Sequence, residues 1–161
     1  MMLSPPDTCA FDIPPEIVTR LRTGELLPAQ LLGLSRQRLY QIAYLGHQLA
    51  QSSRLDEARV IFAGLAAADP RDSVFHCHLA AVCQRLGDAD TALAEYDAAL
   101  TANPRNVEAL AGRGEIRLER DEIRAGMEDL RLAIRLDPAA KRAVTVRARA
   151  LLQVYAREVE R

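Results

Sequence analysis

The sequence predicts an all-α protein made of three helical hairpins that stack side by side. The first observation is a repeat, because Pro70, Pro104 and Pro138 lie 34 residues apart and each follows an Asp or Asn. A period of this length is typical of a helix-turn-helix unit that packs against copies of itself. The second observation is composition, since hydrophobic residues make up 49% of the chain and aromatic residues only 4%. Alanine and leucine supply most of the apolar content, which favours close-packed helices over strands.

Counting back from the prolines divides the chain into repeats at residues 39–72, 73–106 and 107–140. Three positions recur in all repeats. The eighth is small (Gly46, Ala80 and Gly114), and so is the twentieth (Ala58, Ala92 and Gly126). The twenty-fourth is large and apolar (Phe62, Tyr96 and Leu130). Small residues let two helices approach closely, and the large residue fills the space between units. The pattern is that of tetratricopeptide (TPR) repeats, and it predicts a TPR solenoid over residues 35–140.

Each repeat predicts two helices joined by a short turn. The predicted helices span residues 36–51 and 55–68, then 73–86 and 89–102, then 106–120 and 122–136. Ser35 is the expected N-cap of the first of them. The third repeat departs from the pattern, because Arg113 and Arg117 occupy positions that are usually apolar and Asp121 stands where a turn glycine is expected. This repeat is either atypical in its packing or shifted by one residue.

The segments outside the repeats are expected to differ from them. We expect residues 1–11 to be disordered and residues 12–34 to form an N-terminal helical segment with Asp12 as its N-cap. This segment is rich in leucine, and its apolar side chains must be buried on the first repeat or on a second copy of the protein. The leucines concerned are Leu26, Leu27, Leu31, Leu32 and Leu34. Residues 141–161 predict a last helix with one apolar and one charged face, which favours a solubilising cap over a nucleic-acid or membrane helix.

The sequence indicates no catalytic residue, metal site or cofactor, so the protein is not expected to be an enzyme. His76 and His78 are two residues apart and therefore point to different sides of a helix, which disfavours a shared metal ion. Cys77 and Cys83 are separated by about 9 Å of helical rise, too far for a disulfide. The net charge of −1 provides no basic footprint for nucleic acid. No apolar run approaches the roughly 20 residues of a membrane span.

Binding is the alternative to catalysis. In stacked helix pairs, the first helix of each pair lines the concave surface. Its inward positions in the first two repeats carry aromatic, imidazole and small apolar side chains: Tyr40, Ala43, Tyr44, His47, Val74, Cys77, His78 and Ala81. Aromatic rings with a polar tip suit an extended peptide, because they combine contact area with hydrogen bonding. The sequence therefore predicts a peptide-binding groove, with the alternative that Tyr40 and Tyr44 only pack under the N-terminal segment.

Three stretches carry a more specific resemblance: LYQIAY at 39–44, LDEARVIF at 55–62 and LAAVCQRLGD at 79–88. With the leucine-rich lead-in, they resemble the class II chaperones of bacterial type III secretion, which serve hydrophobic translocator proteins. The resemblance implies a cytoplasmic bacterial protein that holds an extended translocator segment in its groove and forms a homodimer through its N-terminal segment. The groove residues it implies are Tyr40, Tyr44, His47, His78 and Ala81. The alternative is a general TPR scaffold in a bacterial complex, without a role in export.

Overall fold

The structure, a computed structural model, describes residues 14–159, and the side chains up to residue 156. All regular secondary structure in this range is α-helical. The helices are α1 (Pro15–Arg22), α2 (Pro28–Leu31), α3 (Arg36–Gln51), α4 (Leu55–Ala68), α5 (Ser73–Arg85), α6 (Ala89–Ala102), α7 (Val107–Glu119), α8 (Ile123–Leu136) and α9 (Ala143–Val159). Helices α3/α4, α5/α6 and α7/α8 form three consecutive hairpins. The predicted all-α TPR solenoid is confirmed.

The three hairpins share one register. In each repeat the first helix ends at the thirteenth position, and the second begins at the seventeenth. The turn between them contains one residue in the left-handed region: Ser53 (φ 60°), Gly87 (φ 82°) and Asp121 (φ 62°). Asp is among the residues that visit this region most readily after glycine, so Asp121 serves the same turn as Gly87. The third repeat is therefore not shifted by a residue, and that alternative is wrong.

The small residues at the eighth and twentieth positions lie where the two helices of a hairpin cross. Ala58, Ala80 and Ala92 are completely buried. In the third repeat, a Cβ atom added to Gly126 would lie 2.9 Å from the carbonyl oxygen of Gly114. Since that contact is too close for any side chain, glycine at these two positions sets the spacing between α7 and α8.

The third repeat is atypical in its chemistry. Arg113 donates two hydrogen bonds to Asp129, with Nε 2.8 Å from Oδ2 and Nη2 2.7 Å from Oδ1. Arg117 donates to the same carboxylate from Nη1, at 2.8 Å. Asp129 is 6% exposed and belongs to α8, so the arginines of α7 are paired inside the hairpin. A buried charge that is paired and hydrogen-bonded can take the place of an apolar contact.

The N-terminal segment rests on the first repeat with part of its apolar surface. Helix α1 begins at Pro15 with Pro14 as N-cap residue; the predicted cap Asp12 and the expected disorder of residues 1–11 lie outside the described range. Helix α2 contacts α4 through a segment in which Ala29 is buried and Leu26 and Leu27 are half-buried. Leu31 and Leu32 are 45% and 69% exposed.

The last helix covers the end of the solenoid. Helix α9 packs on α7 and α8, with Ala148 completely buried. It is preceded by Asp137, whose carboxylate accepts hydrogen bonds from the Arg142 amide at 3.0 Å and from the buried Thr145 hydroxyl at 2.8 Å. None of the helices between residues 14 and 159 is long and apolar enough to cross a membrane.

Candidate peptide-binding groove

One face of the solenoid is formed by the first helices of the repeats and by α9. Helix α3 contacts α5, α5 contacts α7, and α7 contacts α9. A cleft of about 460 Å³ lies on this face. Cys77, His78 and Ala81 of α5 line one side of the cleft, Gly112 of α7 lines the other, and Arg147 of α9 stands at its end. The face therefore offers a groove between helices that run side by side.

Tyr96 reaches this groove from the second helix of its hairpin. Its ring is 3% exposed and lines the cleft beside Gly112. A Cβ atom at Gly112 would collide with the Tyr96 ring and hydroxyl. The hydroxyl donates a hydrogen bond to Gln84 Oε1 at 3.0 Å. Burial raises the pKa of Tyr96, so the phenol stays neutral and remains a donor at the base of the groove.

His47 and His78 bring two imidazoles together on the groove face. Their ring centroids are 5.9 Å apart in an edge-on arrangement. His78 also stacks on Phe62, with centroids 5.0 Å apart and an interplanar angle of 21°. Burial lowers the pKa of His78, and the neighbouring His47 lowers it further. The neutral ring therefore dominates near neutral pH and offers a polar edge on an apolar support.

Tyr40 and Tyr44, the two tyrosines that are predicted to line the groove, have different environments. The Tyr40 hydroxyl donates to Asp72 Oδ2 at 2.8 Å, and its ring lies 5.2 Å from that of Phe75. Tyr40 thus joins the first two repeats, and it lines a separate cleft of about 390 Å³ with Val74 and Leu27. Tyr44 is 65% exposed. Tyr40 therefore shares a cleft with Leu27 of the N-terminal segment, and packing of its ring under that segment stays a prediction; Tyr44 is exposed and free to contact another molecule.

The remaining predicted groove residues differ in exposure. His47 is exposed, and His78 and Ala81 are half-buried on the cleft side of α5. Cys77 lines the cleft with little exposed surface, and Ala43 is buried in the packing between helices. Burial raises the pKa of Cys77 to about 12, so this thiol is not a nucleophile at neutral pH. Within the described residues, no group of His, Cys, Asp or Glu side chains is placed to hold a metal ion.

The end of the groove is formed by two carboxylates of α7, which pair with Arg147 of α9 and with Arg142, the residue directly before α9. Arg147 Nε donates to Glu115, which is 8% exposed, and Arg142 donates to Glu108. Burial raises the pKa of Glu115, while Arg147 acts in the opposite direction. The sequence alone does not connect Glu108 and Glu115 with arginines 34 and 32 residues further along the chain. Tyr96 was likewise expected only as a spacer between repeats.

Comparison by sequence found no match: no family model and no curated protein corresponds to this chain. Solved structures do match. A type III secretion complex from Aeromonas hydrophila contains a chain with a TM-score of 0.80 and 24% identity, covering 91% of this chain and 98% of that one. The translocator chaperone SycD of Yersinia enterocolitica, in a structure described as an alternative dimer, has a TM-score of 0.72 and 25% identity, covering 79% and 98%.

PcrH of Pseudomonas aeruginosa is similar at 28% identity and a TM-score of 0.70, covering 78% of this chain and 97% of PcrH. That structure is a complex with the chaperone-binding region of PopD. The match therefore includes a relative whose structure contains a bound client segment. The chain is thus structurally similar, over 78% or more of its length, to the translocator chaperones of bacterial type III secretion, which confirms the resemblance that its sequence shows.

Proposed function

We propose that this protein is a type III secretion chaperone that holds an extended segment of a hydrophobic translocator in its groove. The observation that carries the proposal is the face formed by α3, α5 and α7, on which Tyr44 and His47 are exposed and His78 lines the cleft, in a fold shared with PcrH bound to PopD. An exposed tyrosine of this kind is typical of residues that dominate protein interfaces. The protein would act in the bacterial cytoplasm, as a binding protein and not as an enzyme.

The groove suits an apolar segment with an extended backbone. Ala81 is small and lines the cleft between α5 and α7, so client side chains can enter there without displacing it. The hydroxyl of Tyr44 and the imidazoles of His47 and His78 can bond to the peptide groups that such a segment leaves unpaired. Covering an apolar segment in this way prevents its exposed surface from driving aggregation.

A homodimer is part of the proposal. Leu31 and Leu32 stay exposed at the N-terminal end of the solenoid, whereas Leu26 and Leu27 are half-buried on their own chain. The solved SycD structure is a dimer. We therefore propose that a second copy of the protein covers Leu31, the last residue of α2, and Leu32, which follows it.

Co-purification from the native host, followed by mass spectrometry, tests the proposal. Wild type is expected to recover an apolar, secreted translocator, and Tyr44→Ala is expected to bind it about tenfold more weakly. The matched control is Val60→Ala, since Val60 is 69% exposed but lies on the second helix of the hairpin. Recovery of only non-exported proteins would support a general scaffold instead. Equal binding by Tyr44→Ala and wild type would contradict the role of the groove.

A further inference from the structure

The groove contains two of the three histidines of the chain, on neighbouring helices. His47 of α3 and His78 of α5 lie with ring centroids 5.9 Å apart. The third, His76, is directed elsewhere, because its ring nitrogens contact Glu95 Oε2 at 2.7 Å and the Pro70 carbonyl at 3.1 Å. A ligand that crosses from α3 to α5 at this point would contact the first pair, whereas His76 is held against Glu95 of α6.

The surroundings of His78 favour its neutral form. Its ring lies on Phe62 of α4, and the His47 ring faces it from α3. Burial and His47 lower the pKa of His78, and the carboxylates of Glu108 and Asp72 oppose this change. Both carboxylates already have a positively charged partner: Glu108 accepts from Arg142, and Asp72 Oδ2 lies 3.7 Å from Nη2 of Arg36. They are therefore poorly placed to stabilise a second positive charge in the groove.

His47 completes the pair. The Gln51 side-chain amide lies 2.9 Å from His47 Nε2. An amide NH₂ group only donates hydrogen bonds, so in this arrangement Nε2 accepts. Protonation of His47 would turn this acceptor into a donor and would place a positive charge 5.9 Å from the His78 ring. The contact with Gln51 holds the His47 ring beside His78.

We propose that client binding in the groove is coupled to the protonation of His47 and His78, so that acidification weakens the hold on the client. This inference rests on the proposed function. A client that covers the pair removes water from both rings and so increases the cost of charging them. It also strengthens the repulsion between two charged imidazoles, because the medium between them becomes less polar.

The direction of the pH dependence follows from the thermodynamic linkage between proton binding and client binding. If the neutral rings are favoured in the complex, the complex binds fewer protons than the free groove, and its dissociation constant must rise as the pH falls. The rise occurs around and below the ordinary histidine pKa of about 6.5. Between pH 7.5 and pH 5.5 we expect the client to bind about 3- to 10-fold more weakly.

The experiment measures the Kd of a fluorescent peptide, the chaperone-binding region of PopD, from pH 7.5 to pH 5.5. Wild type and His76→Gln are expected to lose affinity together, whereas the double variant His47→Gln/His78→Gln is expected to give a nearly constant Kd. A Kd of wild type that does not change with pH, or a double variant that keeps the full dependence, would overturn the inference. Absence of saturable binding at every pH would count against the proposed function itself.

A second measurement avoids dependence on the stability of the double variant. NMR titration of the wild-type imidazole signals, with and without the PopD peptide, reports the pKa of His78 in each state. The pKa is expected to fall when the peptide is bound. An unchanged or higher pKa in the complex would overturn the proton coupling, even if the peptide binds tightly.

Discussion

The Tyr96 ring occupies the space that a side chain at position 112 would need, so the glycine of α7 and the tyrosine of α6 form one packing unit. Gly112→Ala should destabilise the protein by about 1–3 kcal/mol, because the methyl group forces Tyr96 out of its buried site. Gly64→Ala is the control, since nothing lies within 4 Å of a Cβ atom there. That change should stabilise the helix by about 0.5–1 kcal/mol.

Chemical denaturation measures both changes in the free energy of unfolding. The loss at Gly112 should be accompanied by weaker client binding, because Tyr96 lines the groove. If Gly112→Ala were as stable as Gly64→Ala, that result would contradict the close packing of Tyr96 of α6 against Gly112 of α7.

The carboxylate of Asp129 holds two arginines inside the third hairpin. Asp129→Asn should destabilise the protein by about 2–4 kcal/mol, since Arg113 and Arg117 would lose their charged partner in a partly buried site. Asp90→Asn is the matched control, because Asp90 also pairs with an arginine but its side chain is 90% exposed. Thermal unfolding should show little change for the control. Similar losses for the two variants would show that the burial of Asp129 has no energetic importance.

The buried carboxyl of Glu115 predicts a dependence of stability on pH. Its pKa is raised in the folded protein, so its contribution to stability is present below the ordinary pKa and is lost as the pH rises through the folded value. Glu115→Gln removes this ionisation. The stability of the variant relative to wild type should therefore increase from pH 4.5 to pH 7, as measured by urea unfolding at both values. If the variant were instead more stable relative to wild type at pH 4.5 than at pH 7, the effect of Arg147 on the pKa of Glu115 would outweigh that of burial.

The exposed leucines of the N-terminal segment predict self-association. Leu31→Asp/Leu32→Asp should shift the protein toward monomer, because the charges would have to be buried in the contact between two copies. Val146→Asp is the control, since Val146 is 56% exposed on α9, at the other end of the solenoid. Light scattering at micromolar concentration and circular dichroism should show altered mass with unchanged helix content. A wild-type protein that is monomeric under these conditions would contradict the dimer.

The sequence was sufficient to predict the fold because the period and the small residues act locally and repeat. Position 20, for example, is Ala58, Ala92 or Gly126, and each is buried where two helices cross. The third repeat was harder to interpret, because Asp121 replaces glycine at a positive φ and because Arg113 depends on Asp129, 16 residues away. A charged residue at an apolar position indicates nothing about its partner until the helices are packed.

The groove could be predicted only in part. Tyr44, His47, His78 and Ala81 follow from their positions in the first helices, which the repeat defines. Tyr96 and Arg147 do not, because each reaches the groove from an element outside the set of first helices. Tyr40 occupies a predicted position, yet its hydroxyl is bonded to Asp72, a contact that position within the repeat does not reveal.

The most direct test of the central claim is photo-crosslinking in the native host, with benzoylphenylalanine at position 44 or at position 60. Tyr44 and Val60 are 65% and 69% exposed, so the two sites differ in location more than in accessibility. The account predicts that position 44 captures an apolar translocator, identified by mass spectrometry, and that position 60 does not. Capture of the same proteins at both positions, or of no exported protein at position 44, would contradict it.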